Sequence, residues 1–567
     1  MHTWLEKLNH HFPLRYSAWF LCAVGLVVSL SLSLLMRMPT GWAWVLPSIF
    51  AALVLLGVRD TRQGTHSVLR NYPVIGHMRY LFEFIRPEIR QYFIEGDNES
   101  APFSRQQRSL VYQRAKGAPD KRPFGTQKDV NAQGYEWINH SMHPTQLPTH
   151  DFRVVIGGAS QAPAGDAAHS QGTHGTPCTQ PYAASVFNIS AMSFGALSAN
   201  AILALNAGAK RGGFAHDTGE GSISRHHRGP DPDGGGDLIW EIGSGYFGCR
   251  HPDGSFNPEL FATNARLEQV KMIEIKLSQG AKPGHGGVLP GPKVTLEIAE
   301  ARGVPPWVDC VSPASHSAFS TPIEMMQFID RLRALSGGKP VGFKLCIGHP
   351  WEWFAICKAM LATGITPDFI VVDGGEGGTG AAPLEFTDHV GAPLQEGLLL
   401  VHNTLVGLNL RHRVKIGCAG KVVSAFDIAR NMALGADWCN SARGFMFALG
   451  CIQSQSCHTG ECPTGVSTQD PHRQNALVVP TKADRVFNFH QSTLKALKEL
   501  VQAAGLDHPG AITAAHIVRR TNDHEVKLLS NLLPFVKPGA LLAGDLSHSV
   551  YRLYWPMAQA ESFAVAM

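Results

Sequence analysis

Cys451, Cys457 and Cys462 fall in one short run, GCIQSQSCHTGECPTG, with five and four residues between them. A flexible loop lets several thiolates converge on one inorganic core, and the Cys462-Pro463 ending suits iron–sulfur ligation. Three thiolates with no fourth cysteine nearby leave one corner of a cube unfilled, as in a three-iron cluster. Zinc held by Cys451, Cys457, His458 and Cys462 has usable ligand types. Three buried structural thiols would also explain the run. On spacing alone these alternatives stay open.

Such a loop needs a scaffold, and the chain before it has a rhythm. Strand-like runs end in Gly-, Ser- or Lys-bearing loops: Ala184–Ile189, Gly213–His216, Met272–Leu277, Trp307–Val311, Val341–Leu345, Phe369–Val372, Val414–Ile416 and Trp438–Asn440. Helical stretches lie between most of them, including 198–210, 294–302, 322–335, 352–363 and 425–434. Continuous apolar strands alternating with helices imply a parallel sheet covered by helices. Eight such units predict an α/β fold of the (β/α)8 TIM-barrel type, with its site on the loops at the strand C-termini. A doubly wound open sheet is the competing topology.

Two glycine-rich loops bear on that site. IGCAGK (416–421) follows the seventh run and SARG (441–444) the eighth. Barrels commonly hold a phosphate there, and Gly420 and Gly444 would let backbone N–H groups approach it. Ordinary tight turns explain the same glycines equally well. GEGGTG (375–380) has the dinucleotide GxGxxG form, but Pro383 follows at once and no acidic residue stands at the usual later interval. It reads instead as a loop over a cofactor or substrate.

Composition narrows the class. A net charge of +4 without a long basic run argues against nucleic acid as a partner. Eleven cysteines at scattered spacings are no secreted disulfide framework and suit a reducing compartment. The N-terminus is different material. Tyr16 to Met36 is an uncharged run of 21 residues, and Trp42 to Val58 is a second apolar run. Both are of membrane-spanning character, with Trp19, Trp42 and Trp44 near their ends. Lys7 and Arg15 precede the pair, Arg59, Arg62 and Arg70 follow it, and Arg37 lies between, so the positive-inside rule puts both ends in the cytoplasm. The expected organisation is two transmembrane helices (1–58), an irregular extension (59–182), a barrel with the thiol loop (183–470) and a helical C-terminal extension (471–567). Within the second segment, 79–93 has apolar residues at helical spacing among arginines, and reads as a packed helix of the soluble part or as an amphipathic helix on the membrane face.

Several rare motifs, in order, carry a family resemblance: AMSFGALS (191–198), DTGEG (217–221), KLSQGAKPGHGGVLPG (276–291), GGTGAAP ending at Pro383, GCAGKVVSAFD (417–427) and GCIQSQSCHTGECPTGVSTQ (450–469). Through roughly residues 183–470 the chain resembles the FMN-binding synthase domain of glutamate synthases. The resemblance implies FMN, a [3Fe-4S] cluster on Cys451, Cys457 and Cys462, and reductive amination of 2-oxoglutarate to glutamate. It implies that Lys282 and Arg302 bind the 2-oxo acid, with Glu220 near the point of ammonia entry. Ser193, Lys276, Gln279, Gly378, Gly420 and Gly444 would hold the flavin. Arg suits bidentate carboxylate recognition and Lys supplies a compact charge.

The chain also departs from that family. GHGGVLPG stands where the family usually has GEGGQLPG, so His285 and Val288 replace a carboxylate and an amide. Either the keto acid sits differently or it is not 2-oxoglutarate. No nucleophilic cysteine follows Met1, so the nitrogen is expected from free ammonia or a partner glutaminase. A carrier protein or the quinone pool would supply electrons. A different 2-oxo acid, or a non-catalytic membrane-bound electron relay, are the alternative functions.

Overall fold

The computed structural model of the chain describes residues 14–35, 41–99, 101–158, 175–229 and 234–566. Lys7, Met36, Arg37 and residues 159–174 lie outside these. Two compact units, Met1–Pro102 and Phe103–Met567, part inside the expected 59–182 extension.

In the first unit, α1 (Ser17–Leu35) and α2 (Val45–Arg62) pair antiparallel. Small residues set how closely they pack. A Cβ on Gly25 would lie 2.6 Å from the Phe50 ring, and one on Gly57 would lie 2.2 Å from the Trp19 ring. Trp19 Nε1 donates to the Val54 carbonyl at 3.1 Å. Both helices are long and apolar enough to cross a membrane. The second runs four residues beyond Val58, since Arg59, Asp60, Thr61 and Arg62 continue the helix. The helix expected over 79–93 is present as α3 (Gly76–Ile89) followed by a π-helical turn, Arg90–Ile94, and a short helix, Ser67–Asn71, precedes it in sequence expected to be irregular.

The second unit is built on a closed parallel barrel. Its strands are β1 (Phe187–Ile189), β2 (His216–Asp217), β3 (Leu238–Ile242), β4 (Val270–Lys276), β5 (Val341–Leu345), β6 (Phe369–Asp373), β7 (Lys415–Ala419) and β8 (Trp438–Ser441). Strand β8 pairs with β1 and completes the ring. Eight strands were expected, but one was misassigned. Trp307–Val311 is not in the barrel; only Cys310–Val311 is strand, antiparallel to Val288–Leu289. The missed strand is β3, whose sequence LIWEI carries a glutamate in an otherwise apolar run.

Period-two alternation sorts the barrel interior into layers. Met272, Glu274 and Lys276 share one face of β4, as Ile239 and Glu241 do on β3. The lowest layer is apolar: Ala215, Ile239, Met272, Phe369, Val371 and Trp438 form one buried cluster with Ile156, Tyr182 and Ala184. The last three belong to an antiparallel ribbon, Arg153–Ile156 with Tyr182–Ser185, whose side chains pack into that layer. Gly417 on β7 makes room for the Trp438 ring, which a Cβ would meet at 2.4 Å. Above the apolar layer, the interior turns charged.

Helix α4 (Ala199–Gly212) follows β1, α5 (Leu296–Arg302) follows β4, and α6 (Arg443–Leu449) follows β8. The last is short, and α7 (Val479–Ala503) packs against both α4 and α6. Its seam is Val486, Phe489, Leu494, Leu497 and Val501. Val486 lies where Gly208 of α4 lacks a side chain, 2.5 Å from a built Cβ. The C-terminal extension is not wholly helical: Ile517–Arg520 joins Glu136–Ile138 and Val526–Leu528 in a three-stranded antiparallel sheet.

Candidate active site

The charged layer begins at the end of β4. Lys276 Nζ lies 3.0 Å from Glu220 Oε2 and 4.0 Å from Glu241 Oε1. Its backbone is fixed as well, because His316 Nε2 lies 2.8 Å from the Lys276 carbonyl oxygen. A carbonyl can only accept, so Nε2 carries the proton. Nδ1 then accepts from the Tyr246 hydroxyl at 3.1 Å, and that hydroxyl accepts from the Ala318 N–H at 3.0 Å. Burial pushes His316 down to about 4, so it stays neutral. Its neutral ring clamps the strand end that presents Lys276.

Deeper in the barrel, Asp217, Glu241 and Glu274 bring carboxylate oxygens within 4.8 Å of one another, all buried. Lys344, from β5, is their shared cation: its Nζ bonds Glu241 Oε2 and lies 3.7 Å from Glu274 Oε1. Burial opposes the Lys344 ammonium, but Glu241, Glu274 and Asp217 together hold its pKa well above the ordinary lysine range. Burial, and then Glu241, push Asp217 up to about 7. Burial and Asp217 raise Glu274 well above the carboxylate range. Glu241 thus touches two lysines, one deep and one at the mouth.

Three cations gather around Glu220. Burial works to raise its carboxyl, but Lys276, Lys282 and Arg302 bring it down to about 2. Burial lowers Lys282, against the pull of Glu220. Arg302 is 5% exposed rather than a surface cation at a helix end. Its Nη2 donates to the Phe194 carbonyl at 3.3 Å, its guanidinium lies 5.1 Å from the Phe247 ring centre, and its buried Nε has no partner. A Cβ on Gly195 or Gly221 would approach Arg302 Nη2 to 3.4 Å, so both glycines keep space for it.

The remaining predicted residues surround this mouth on the loops after β1, β4, β6, β7 and β8. Ser193 lies against the loop after β2: a Cβ on Gly219 would come 2.6 Å from its backbone nitrogen. Gln279 is half-buried just beyond β4. Gly378 abuts the Arg443 guanidinium, 2.9 Å from a built Cβ, and Arg443 Nη2 donates to the Thr379 carbonyl at 2.7 Å. The glycines of the two suspected phosphate loops have packing reasons too. A Cβ on Gly444 would meet Ser441 Oγ at 2.5 Å and Phe489 at 3.2 Å, and one on Gly420 would meet Leu394 at 3.1 Å. The GEGGTG stretch packs on the loop after β4, with the Ala281 N–H donating to the Gly375 carbonyl at 3.2 Å. His285 and Val288 lie on the exposed side of their loop, Val288 at 53% exposure.

The thiol loop follows α6 and is stitched to the loop carrying Ser193. Ser198 Oγ donates to the Gly465 carbonyl at 2.7 Å, Ser467 Oγ to Ala196 at 2.8 Å, and Gln469 Nε2 to Gly195 at 3.0 Å. Lys293 Nζ donates to the His458 carbonyl at 2.8 Å. Cys451 and Cys462 are buried and Cys457 half-buried. Burial raises Cys451 to about 11. Burial also acts to raise Cys462, but hydrogen bonds from Thr464, Ser467 and Val466 outweigh it and lower the thiol.

Glu241, Glu274, Lys344 and His316 of this arrangement escaped the sequence reading. Glu241, Glu274 and Lys344 sit inside strand segments, which is itself an available signal, since ionisable groups in a barrel strand need partners.

Barrels of this kind do chemistry at the C-terminal ends of their strands, and here that end gathers three cations and an ionised glutamate beside a loop of three thiols. The family model described as the conserved region in glutamate synthase matches residues 168–507. The chain belongs to the glutamate synthase family, oxidoreductases acting on CH–NH2 donors. It is 38% identical over 518 residues to the glutamate synthase large subunit-like protein YerD of Bacillus subtilis, covering 87% of this chain and 97% of that one. It is 34% identical to the archaeal-type glutamate synthase [NADPH] of Thermotoga neapolitana, over 60% of this chain and 64% of the relative. With the glutamate synthase [NADPH] large chain of Azospirillum brasilense, identity is 33% over 61% of this chain and 22% of the relative. The chain therefore spans nearly all of the first relative but less than two thirds of the other two. Among solved structures, a flavocytochrome b2 variant with sulfite bound aligns at a TM-score of 0.40 and 10% identity, over 83% of this chain and 91% of that one.

Proposed function

We propose that the chain is an FMN- and iron–sulfur-dependent oxidoreductase that reductively aminates 2-oxoglutarate to glutamate. The nitrogen comes from ammonia or a partner's glutaminase, and electrons from a carrier protein or the quinone pool. Helices α1 and α2 anchor it in the cell membrane, with the barrel in the cytoplasm. The observation that carries the reaction is the cation trio Lys276, Lys282 and Arg302, which converges on the single Glu220 carboxylate. A dicarboxylic keto acid needs such an excess of positive charge.

The donor set suits the cofactors. Lys276, Lys282 and Arg302, with Lys421 after β7 and Arg443 after β8, favour a phosphorylated anionic group beside an anionic substrate. Ser193, Lys276, Gln279, Gly378, Gly420 and Gly444 would hold FMN. Bound there, the flavin supplies the reducing equivalents. Lys282 and Arg302 bind the substrate carboxylates. Glu220, with its carboxyl held at about 2, is a poor base but a lasting anion that holds the three cations together at the mouth, near the point where the resemblance puts ammonia entry. Lys282, lowered by burial, lies nearer the pH at which a group exchanges protons, and can deliver one to the oxygen that departs as water. Glu241 and His316 keep Lys276 in register.

Cys451, Cys457 and Cys462 would hold the cluster. Hydrogen bonds that lower Cys462 favour the thiolate a metal needs, and N–H···S contacts tune cluster potential. Purified, anaerobically reconstituted protein is expected to release FMN on denaturation and to contain iron and acid-labile sulfide. Cys462→Ser should lose most of the iron and sulfide while keeping FMN. FAD in place of FMN, or zinc in place of iron, would contradict the assignment.

A second reading, amination of a less polar 2-oxo acid, is favoured by Val288, which stands where the resemblance leads one to expect an amide. A panel of 2-oxo acids separates the two.

A further inference from the structure

Within the first unit, residues 76–94 present a face that the described residues leave uncovered. Met78, Leu81, Phe82, Ile85 and Ile89 recur at helical spacing on one side of α3, and Phe93 extends the stripe through the π turn. Phe82 is 56% exposed and Phe93 85%, and Gly76 is the only buried residue of α3. Within the first unit α3 is therefore an exposed helix rather than a packed one. Beside the stripe runs a groove of about 640 Å³, with Phe82, Ile89 and Ile94 as its apolar lining and Arg79, Arg86 and Arg90 among the polar groups along it. Arg79 and Arg90 each bridge to a glutamate, Glu83 and Glu95, at 3.0 Å.

The start of α3 is fixed to the last turn of α2. Asp60 is 2% exposed, an unusual place for a carboxylate. It accepts from the Val74 N–H at 2.9 Å and from His77 Nε2 at 2.9 Å. Val74 takes φ +70, a left-handed conformation costly for a β-branched residue, at this bend. Leu69 packs over Gly76, 3.1 Å from a built Cβ. The elbow thus sets the first turn of α3 level with the end of the apolar helix α2.

We infer that residues 76–94 form an interfacial helix lying in the headgroup–acyl boundary of the bilayer, with the apolar stripe in lipid and the arginines at headgroup phosphates. This rests on the reading of α1 and α2 as membrane-spanning. If α2 ends at the membrane surface, the Asp60 elbow delivers α3 to the same level. An apolar stripe flanked by arginines suits that depth, where long cationic side chains reach phosphate while their stems stay in lipid.

The test uses the full-length protein in phosphatidylcholine–phosphatidylglycerol vesicles containing a lipid with a photoreactive diazirine in its acyl chain, with adducts mapped by peptide mass spectrometry. Adducts are expected on α1, on α2 and on residues 78–93. The triple variant Leu81→Glu, Phe82→Glu, Ile89→Glu should lose adducts on 76–94 by about tenfold and keep those on α1 and α2, which shows that the variant is still embedded. Adducts on both spans but none on 76–94 would overturn the inference alone. An absence of adducts on the spans as well would overturn the membrane reading on which it rests.

Discussion

Replacing Lys282 by Met should lower turnover with a 2-oxo acid by about 100-fold or more while FMN stays bound. A buried charge stripped of its counter-charge typically costs about 3–5 kcal/mol, and each 1.36 kcal/mol is about a tenfold change in rate. In the resting protein Glu220 answers the cations; with substrate bound, a carboxylate of the keto acid must do so too. Met keeps the length and apolar stem of Lys282 and removes only the charge. The check is steady-state turnover beside flavin content. Flavin loss in step with activity would make Lys282 a residue of cofactor binding instead.

Lys344→Met should destabilise the fold by about 3–5 kcal/mol near pH 8, a large part of the roughly 5–15 kcal/mol that holds a domain together. The variant leaves Asp217, Glu241 and Glu274 facing one another with Lys276, 4.0 Å from Glu241, as their only remaining cation contact among the described residues. The deficit should shrink on acidification. Asp217, already pushed up to about 7 by burial and Glu241, and Glu274, raised by burial and Asp217, would keep their protons to still higher pH. Between the ordinary carboxylate range and those raised values, the folded state binds more protons than the unfolded chain. Stability contributed by these groups therefore falls as pH rises through that window. Denaturant titrations at pH 5.5 and pH 8 measure it, and an equal deficit at both would contradict the shared-cation arrangement.

Those two residues also show where sequence was legible. Lys282 stands in a loop motif, KLSQGAKPG, whose residue types and order carry their meaning locally. Lys344 stands in VGFKL, an apolar strand whose lysine makes sense only opposite Glu241 and Glu274, on β3 and β4. For the same reason β3 was missed: Glu241 interrupts its apolar run, and its partner lies about a hundred residues away in the chain. Trp307–Val311 reads as a barrel strand because a short apolar run looks alike in a barrel and in a two-stranded ribbon. The glycines were legible as close approaches but not as to what approaches them. Gly444 makes room for Ser441 and Phe489, and Gly378 for Arg443. Arg302 ends its helix, a position that sequence alone leaves open to solvent, and only the fold shows its burial against Phe247 and Phe194.

The proposed reaction is tested most directly by mixing the anaerobically reduced holoprotein with 2-oxoglutarate and ammonium in a stopped-flow instrument, while glutamate is quantified in the quenched mixture. The expected result is return of the oxidised flavin spectrum with glutamate formed in proportion to flavin reoxidised, and neither change when ammonium or 2-oxoglutarate is omitted. Reoxidation by a different 2-oxo acid alone would contradict 2-oxoglutarate as the substrate. Failure of every 2-oxo acid in the panel to reoxidise the flavin would contradict reductive amination altogether and leave an electron relay.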